Sequence, residues 1–409
     1  MTAADDFVIA SGISDDEQTT EAIAEVIEAL RDRLGEGAVD FVAIFATPHH
    51  RGSMDLIAER VQAELSPRIA LGATAGGVLG SGFELESRPG LTMLAGRMPG
   101  AELRAFCHHD FDWPTVKDDP AALREALLGI EAPPSDADTQ TRAVLMFADP
   151  FTTPMVKLMP ALNAALPGIP IIGGMASAAV EPGDNRLIYN DNVFDQGAVG
   201  MAISGPVQVD CIVSQGCRPI GDPGLITKAH KNLIQEIGRK PALAAVEAVA
   251  SEADESEREL LQHGVFVGRV INEYKDHFGR GDFLIRNIIG ADRNSGFIAI
   301  SDFVRVGQTV QFHVRDTHTA EEDLRLLLQT QLLHDPAAGV LMCTCNGRGQ
   351  NMFDKPNAES TIVREALGEV PIAGFFAAGE IGPIGTDNFV HGFTAALAIF
   401  RPAAQGGET

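Results

Sequence analysis

The chain repeats itself, and that limits the folds open to it more than any other feature. Val144-Leu-Met-Phe-Ala-Asp149 resembles Val340-Leu-Met-Cys-Thr-Cys345, and Pro170-Ile-Ile-Gly-Gly-Met-Ala-Ser-Ala178 resembles Pro371-Ile-Ala-Gly-Phe-Phe-Ala-Ala-Gly379. Asp191-Asn-Val-Phe-Asp-Gln-Gly197 resembles Asp387-Asn-Phe-Val-His-Gly392, and each is followed by a run ending in Ala-Ile. Three collinear matches at nearly equal spacing imply two related halves. A fainter third version, Phe41-Val-Ala-Ile-Phe-Ala46 with Ile69-Ala-Leu-Gly-Ala-Thr-Ala-Gly76, lies nearer the N-terminus.

Each unit reads as strand, helix, strand. The first strand is a continuous apolar run, the pattern of a strand buried on both faces. Ser53 is the expected N-cap of a helix carrying Met54, Ile57, Val61 and Leu65; Asn357 and Gly368 bracket a helix over 358–367. Residues 20–34 place Ile23, Ile27, Leu30 and Leu34 on one helical face. Thr319 with Glu322 forms a capping-box pattern before Leu324–Leu333. Residues 283–315 read as antiparallel: Phe283–Ile289 meets Gly296–Ile300 across Asp292-Arg-Asn-Ser-Gly296, and Val310, Phe312 and Val314 alternate with polar residues. The expected fold class is therefore α/β, two related, pseudo-duplicated halves of mixed sheets with outer helices. Gly216–Gly224 is a cluster of breakers that suggests a domain boundary near 216–240.

Composition narrows the function classes. The 409 residues allow two or three domains at roughly 150 each. Thirty-one Lys and Arg against 56 Asp and Glu give a net charge of −25, which argues against a nucleic-acid or anionic-membrane partner. No apolar run reaches the roughly 20 residues of a membrane span. The N-terminal MTAADDFVIASG has neither a basic nor an apolar leader region, so the expected location is cytoplasmic. Five cysteines without framework spacing fit a reducing compartment. Cys343-Thr-Cys345 lacks two further ligands for zinc, so no metal is expected.

Candidate site residues gather at predicted strand ends. Cys345-Asn346-Gly347-Arg348-Gly349 suits a tight loop aiming a guanidinium at a carboxylate or phosphate, or tying two loops together. Glu380, after Gly379, ends the matching second strand and is expected near Arg348, as ligand contact or structural partner. Arg286 sits in an apolar strand, on a wet face or beside an acid. His391 follows Asp387-Asn388 and could face the same crevice. Thr74, Gly76, Gly173, Gly174 and Ser177 belong to small-residue clusters that let a backbone or ligand come close. Neither GxSxG nor a Walker motif occurs, and Gly72–Gly77 lacks the lysine of a phosphate loop.

These stretches, with Ser214-Gln-Gly-Cys-Arg-Pro-Ile-Gly221, Gly238-Arg-Lys-Pro-Ala-Leu243, Phe283-Leu-Ile-Arg286 and Gly290-Ala-Asp292, resemble the FIST family in order over roughly 40–400. One departure is Ala73-Thr74, where the family often has Cys-Ser/Thr. The resemblance implies a FIST_N-like domain over 1–225 and a FIST_C-like domain over 226–409. It implies a non-enzymatic, small-molecule-sensing protein of bacterial signal transduction. The ligand, an amino acid or small carboxylate, would lie between the halves, and output would pass through a protein partner. No cofactor is expected. Some relatives bind haem, and here His391, His49 or Cys345 would be the axial ligand of a haem-based gas sensor. Another alternative is a hydrolase or transferase using Cys345, His391 and Glu380; a ligand-free scaffold is a third.

Overall fold

A computed structural model describes residues 7–109, 118–130, 140–279 and 281–403; part of the N-terminal stretch read for a leader, residues 1–6, lies outside them. The described residues form four sheets and eight α-helices, a mixed α/β architecture. They divide into two compact units. The first comprises 1–213, 325–390 and 394–409; the second comprises 214–324 and 391–393. A single cut at 225/226 does not follow these units, because most of the C-terminal third of the chain joins the N-terminal half.

The first unit contains the strand–helix–strand module three times. The copies are Phe41–Ala46, Met54–Leu65, Ile69–Thr74; Thr141–Ala148, Met155–Ala165, Ile171–Met175; and Gly339–Cys345, Ala358–Leu367, Ile372–Ala377. In each, the two strands are parallel neighbours. In each, the first strand also pairs antiparallel with a later one: Leu91–Arg97, Ala198–Ser204 and Thr394–Pro402. The echo between 144–203 and 340–399 is thus a structural one, and the fainter copy at 41–76 is complete as well.

The three copies exchange strands in a cycle. After the second strand of each module the chain leaves its own sheet. The hairpin Gly77–Gly80/Phe83–Glu86 joins the third module's sheet, Leu187–Tyr189/Asn192–Phe194 joins the first, and the strands Glu380–Ile384 and Asp387–His391 join the second. The chain then returns to its own sheet. The second unit interrupts the third copy in sequence, between the edge strand Val207–Gln215 and the module's first strand.

Sequence explains the close packing of each module. Gly72, Gly173 and Gly374 hold the same register opposite Ile44, Met146 and Met342. A Cβ there would lie 2.3, 1.8 and 1.8 Å from those residues' carbonyl oxygens, which excludes any side chain. Gly173 is expected from sequence near a ligand; its missing side chain instead makes room for its own neighbouring strand. Between the sheets, Phe45, Phe147 and Phe375 are fully buried with ring centroids 4.6 to 5.8 Å apart, one aromatic from each copy in a shared core.

The second unit is a closed barrel. Its strand order is Cys217–His230, Thr309–Arg315, Phe266–Val270, Phe283–Asp292, Phe297–Ile300, Leu233–Ile237, and the last pairs back to the first. The predicted antiparallel segment 283–315 is present. The second unit begins at Ser214, just before Gly216–Gly224; that cluster runs into the long first strand, which bends at a register shift between Ile220 and Gly224. The helix Thr317–Thr330 is capped by Asp316, whose carboxylate accepts the His318 N–H and the Thr319 hydroxyl, so Thr319 is capped rather than capping. Ser53 and Asn357 stand at their predicted N-cap positions without capping through their side chains. The Asn357 Oδ1 accepts the Glu84 N–H instead.

Replacing Gly173 by Ala should cost about 3 kcal/mol, the upper end of overpacking penalties. Gly52, with open space for at least 4 Å around the point a Cβ would occupy, should tolerate Ala with a change below about 0.5 kcal/mol. Equilibrium denaturation of both variants checks this.

Candidate functional site

The carboxyl ends of the three modules' second strands meet. Ser177 follows the second module; its Oγ accepts the Gly76 N–H at 2.8 Å and donates to the Phe376 carbonyl. Its own N–H reaches the Thr74 carbonyl at 3.2 Å, and the Met175 N–H reaches the Gly379 carbonyl at 2.9 Å. Thr74 is fully buried, its Oγ1 accepting the Arg186 N–H at 2.8 Å. A Cβ on Gly174 would stand 2.8 Å from that of Ala377. The small residues therefore serve first to let three crossing connections touch. Gly76 and Ala378 remain exposed at this meeting point.

All three copies bury polar groups where the first strand ends, and the third adds a completely buried ion pair, Arg348 with Glu359, and the completely buried Glu380. Where the first strand ends, the first two copies carry Thr47 and Asp149, and the third carries Cys345. The following loop is closed by Gly347 N–H to the Cys345 sulfur at 3.4 Å, Arg348 N–H to the Cys345 carbonyl at 2.9 Å, and Asn346 N–H to the Ala377 carbonyl at 2.9 Å. Arg348 is completely buried and its ion-pair partner is Glu359, at 2.8 Å from Nη2 and 3.0 Å from Nε. The other Glu359 oxygen accepts the Thr344 hydroxyl at 2.7 Å, and the Phe353 ring lies 5.5 Å from the guanidinium carbon. Arg348 is thereby tied to the helix of its own module.

Glu380 is also completely buried. One oxygen accepts the Thr394 N–H at 3.1 Å and hydroxyl at 2.8 Å. The other, Oε1, has no N–H or O–H partner. Burial pushes this carboxyl up to about 8, against the opposing pull of Thr394, the Arg348 charge and the Cys345 thiol. Burial and the Glu380 charge in turn raise the Cys343 thiol. Across the Arg348 loop, burial and Glu359 push Glu84 to about 7, although it accepts the Ser360 N–H at 2.8 Å. One guanidinium thus stands among several acids, and desolvation outweighs it.

Two of the twelve expected residues belong to the second unit. Arg286 points into the barrel, 7% exposed, and its Nε donates to Asp302 at 2.8 Å; the acid partner, not the wet face, is the arrangement found. His391 is 4% exposed and groups with the same unit. With Cys345 in one unit and His391 in the other, the two join no common cluster within either. Both are buried. Sequence reading missed Glu359, Glu84 and Asp302. For Glu359 a signal existed: it shares a helical face with Ile362 and Val363, which are buried.

Two outcomes follow. Glu380 holds its proton more tightly folded than unfolded, where its value is 4.5. The stability this contributes is complete below that value and is lost as pH rises through about 8. In that window the wild type should lose roughly 1.4 kcal/mol per pH unit more than Glu380→Gln, read from urea midpoints across pH. Glu359→Ala strands the Arg348 charge and should cost about 3–5 kcal/mol by the same measurement.

Two family models match the chain: the FIST N domain over residues 40–240 and the FIST C domain over 242–383. The uncharacterized protein Rv0628c of Mycobacterium tuberculosis is 36% identical over 395 residues, covering 96% of this chain and 99% of the relative. The uncharacterized protein Mb0898c of Mycobacterium bovis is 34% identical over 394 residues, covering 96% and 98%. No helix among the described residues is long and apolar enough to cross a membrane. The chain belongs to the FIST family, whose domains are linked to sensing in signal transduction.

Proposed function

We propose that the chain is a non-enzymatic sensory module of the bacterial cytoplasm. It binds an amino acid or small carboxylate at the meeting strand ends of the first unit and passes the signal to a protein partner. Glu380 is the observation that carries this reading. A fully buried carboxyl held by Thr394 on one oxygen and otherwise by the Cys345 thiol, a weak donor, is a costly feature to maintain, and it directly follows Gly379 where the three connections touch. Held protonated at neutral pH, it offers an O–H to a ligand acceptor. Family membership supports the sensory role. Signalling then requires that the ligand favour one arrangement of the Cys345–Arg348 loop over another.

The expected ligand site is thus narrower than a crevice lined by all twelve residues: Gly76, Ser177, Cys345, Asn346, Gly379 and Glu380 stay in it. Arg348 supports it through Glu359, and Arg286 has no part in it. A thermal-shift screen of amino acids and small carboxylates tests this. A ligand at 100 times its dissociation constant should stabilise the protein by about 2.7 kcal/mol, and Ser177→Ala and Glu380→Gln should each abolish most of the gain. A ligand whose effect survives both substitutions would overturn the assignment.

A further inference from the structure

The barrel carries two arginines on one carboxylate. Val267 opposes both Arg286 and Phe312 in the ladder, and Arg269 opposes Val310. Residues two apart on a strand share a face. Arg269 and Arg286 therefore project to the side of Val267, Val310 and Phe312, which belong to the barrel's buried apolar cluster. Both reach the same oxygen of Asp302, Arg286 Nε at 2.8 Å and Arg269 Nη2 at 3.3 Å. The other Asp302 oxygen accepts the Phe303 N–H at 2.7 Å.

The count of charges is uneven. Two cations and one anion leave a net charge of +1 on three groups whose side chains are 21%, 7% and 5% exposed. Such a surplus is unfavourable away from water. The Arg269 Nε is buried and has no hydrogen-bond partner, so a donor already in place remains unspent. Arg269 is the most exposed of the three and marks the end from which a solute would enter.

We infer that this end of the barrel is an anion site in which Arg269 and Arg286 together hold the carboxylate of a small organic acid. A singly charged carboxylate brings the group to neutrality, accepts from the guanidinium forks in their plane and gives the Arg269 Nε its partner. A phosphate dianion would overshoot the charge beside Asp302. The site lies wholly within the second unit and does not depend on the strand-end reading.

The test compares the full-length wild type with Arg269→Gln and Asp302→Asn in sodium acetate, sodium phosphate and sodium chloride at equal ionic strength, by thermal shift. General salt effects act alike on all three proteins and cancel in the comparison. Acetate should raise the midpoint of the wild type above that in chloride, and Arg269→Gln should weaken apparent acetate affinity at least tenfold. Asp302→Asn, which removes the resident negative charge, should tighten it by a similar factor. An acetate response unchanged in Arg269→Gln would mean the carboxylate binds elsewhere and overturns the site. No acetate effect on the wild type, or equal affinity in Asp302→Asn, would also overturn it. A stronger response to phosphate than to acetate would overturn the assignment to a monocarboxylate.

Discussion

The first unit depends on three chain crossings that pass through one point. Each module sends its next hairpin into a neighbour's sheet, so the copies cannot separate without breaking strand pairs in all three sheets. This works only if the connecting backbones come into contact. Ala75-Gly76, Ala176-Ser177 and Ala378-Gly379 supply the small residues, and the Ser177 hydroxyl ties the first and third copies to the second. Within each sheet, the glycine opposite the first strand's carbonyl does the same work on a smaller scale.

That arrangement bears on where function resides. A ring of three near-equivalent copies has three similar sets of strand ends, and only departures from equivalence can make one of them special. The third copy departs most, with a completely buried ion pair, Arg348 and Glu359, and the completely buried Glu380, where the first two copies bury Thr47 and Asp149. Its charges are nested. Glu359 neutralises Arg348, Arg348 still draws on Glu380, and desolvation defeats that attraction, so Glu380 stays protonated near neutral pH. The electrostatics thus follow from one cation serving more acids than it can hold ionised.

The barrel shows the opposite imbalance. There one carboxylate serves two guanidiniums, with positive charge in surplus. The overall charge of −25 gave no hint of it, because net charge describes the surface field and not the local balance inside a barrel.

What the sequence determined by itself was local and periodic. Apolar runs bounded by small residues specified the parallel strands, the 3.6-residue spacing of Ile23, Ile27, Leu30 and Leu34 specified a helix, and alternation at 310–315 specified a strand with one apolar face. The repeat was legible because three copies under the same packing constraint keep the same glycine. Partner choice was not legible. Arg348 took Glu359, 11 residues on, rather than Glu380, and Arg286 took Asp302, 16 residues on, because the conformation of the intervening loop, and not separation along the chain, decides which acid faces a guanidinium. Gly216–Gly224 stands at the start of the second unit yet runs into a bent strand, since a register shift leaves the same glycine and proline signature as a linker. The cyclic exchange of hairpins was beyond sequence too: a hairpin's residues specify its turn and its faces, while which sheet edge receives it is decided by where the other two copies leave an edge unpaired.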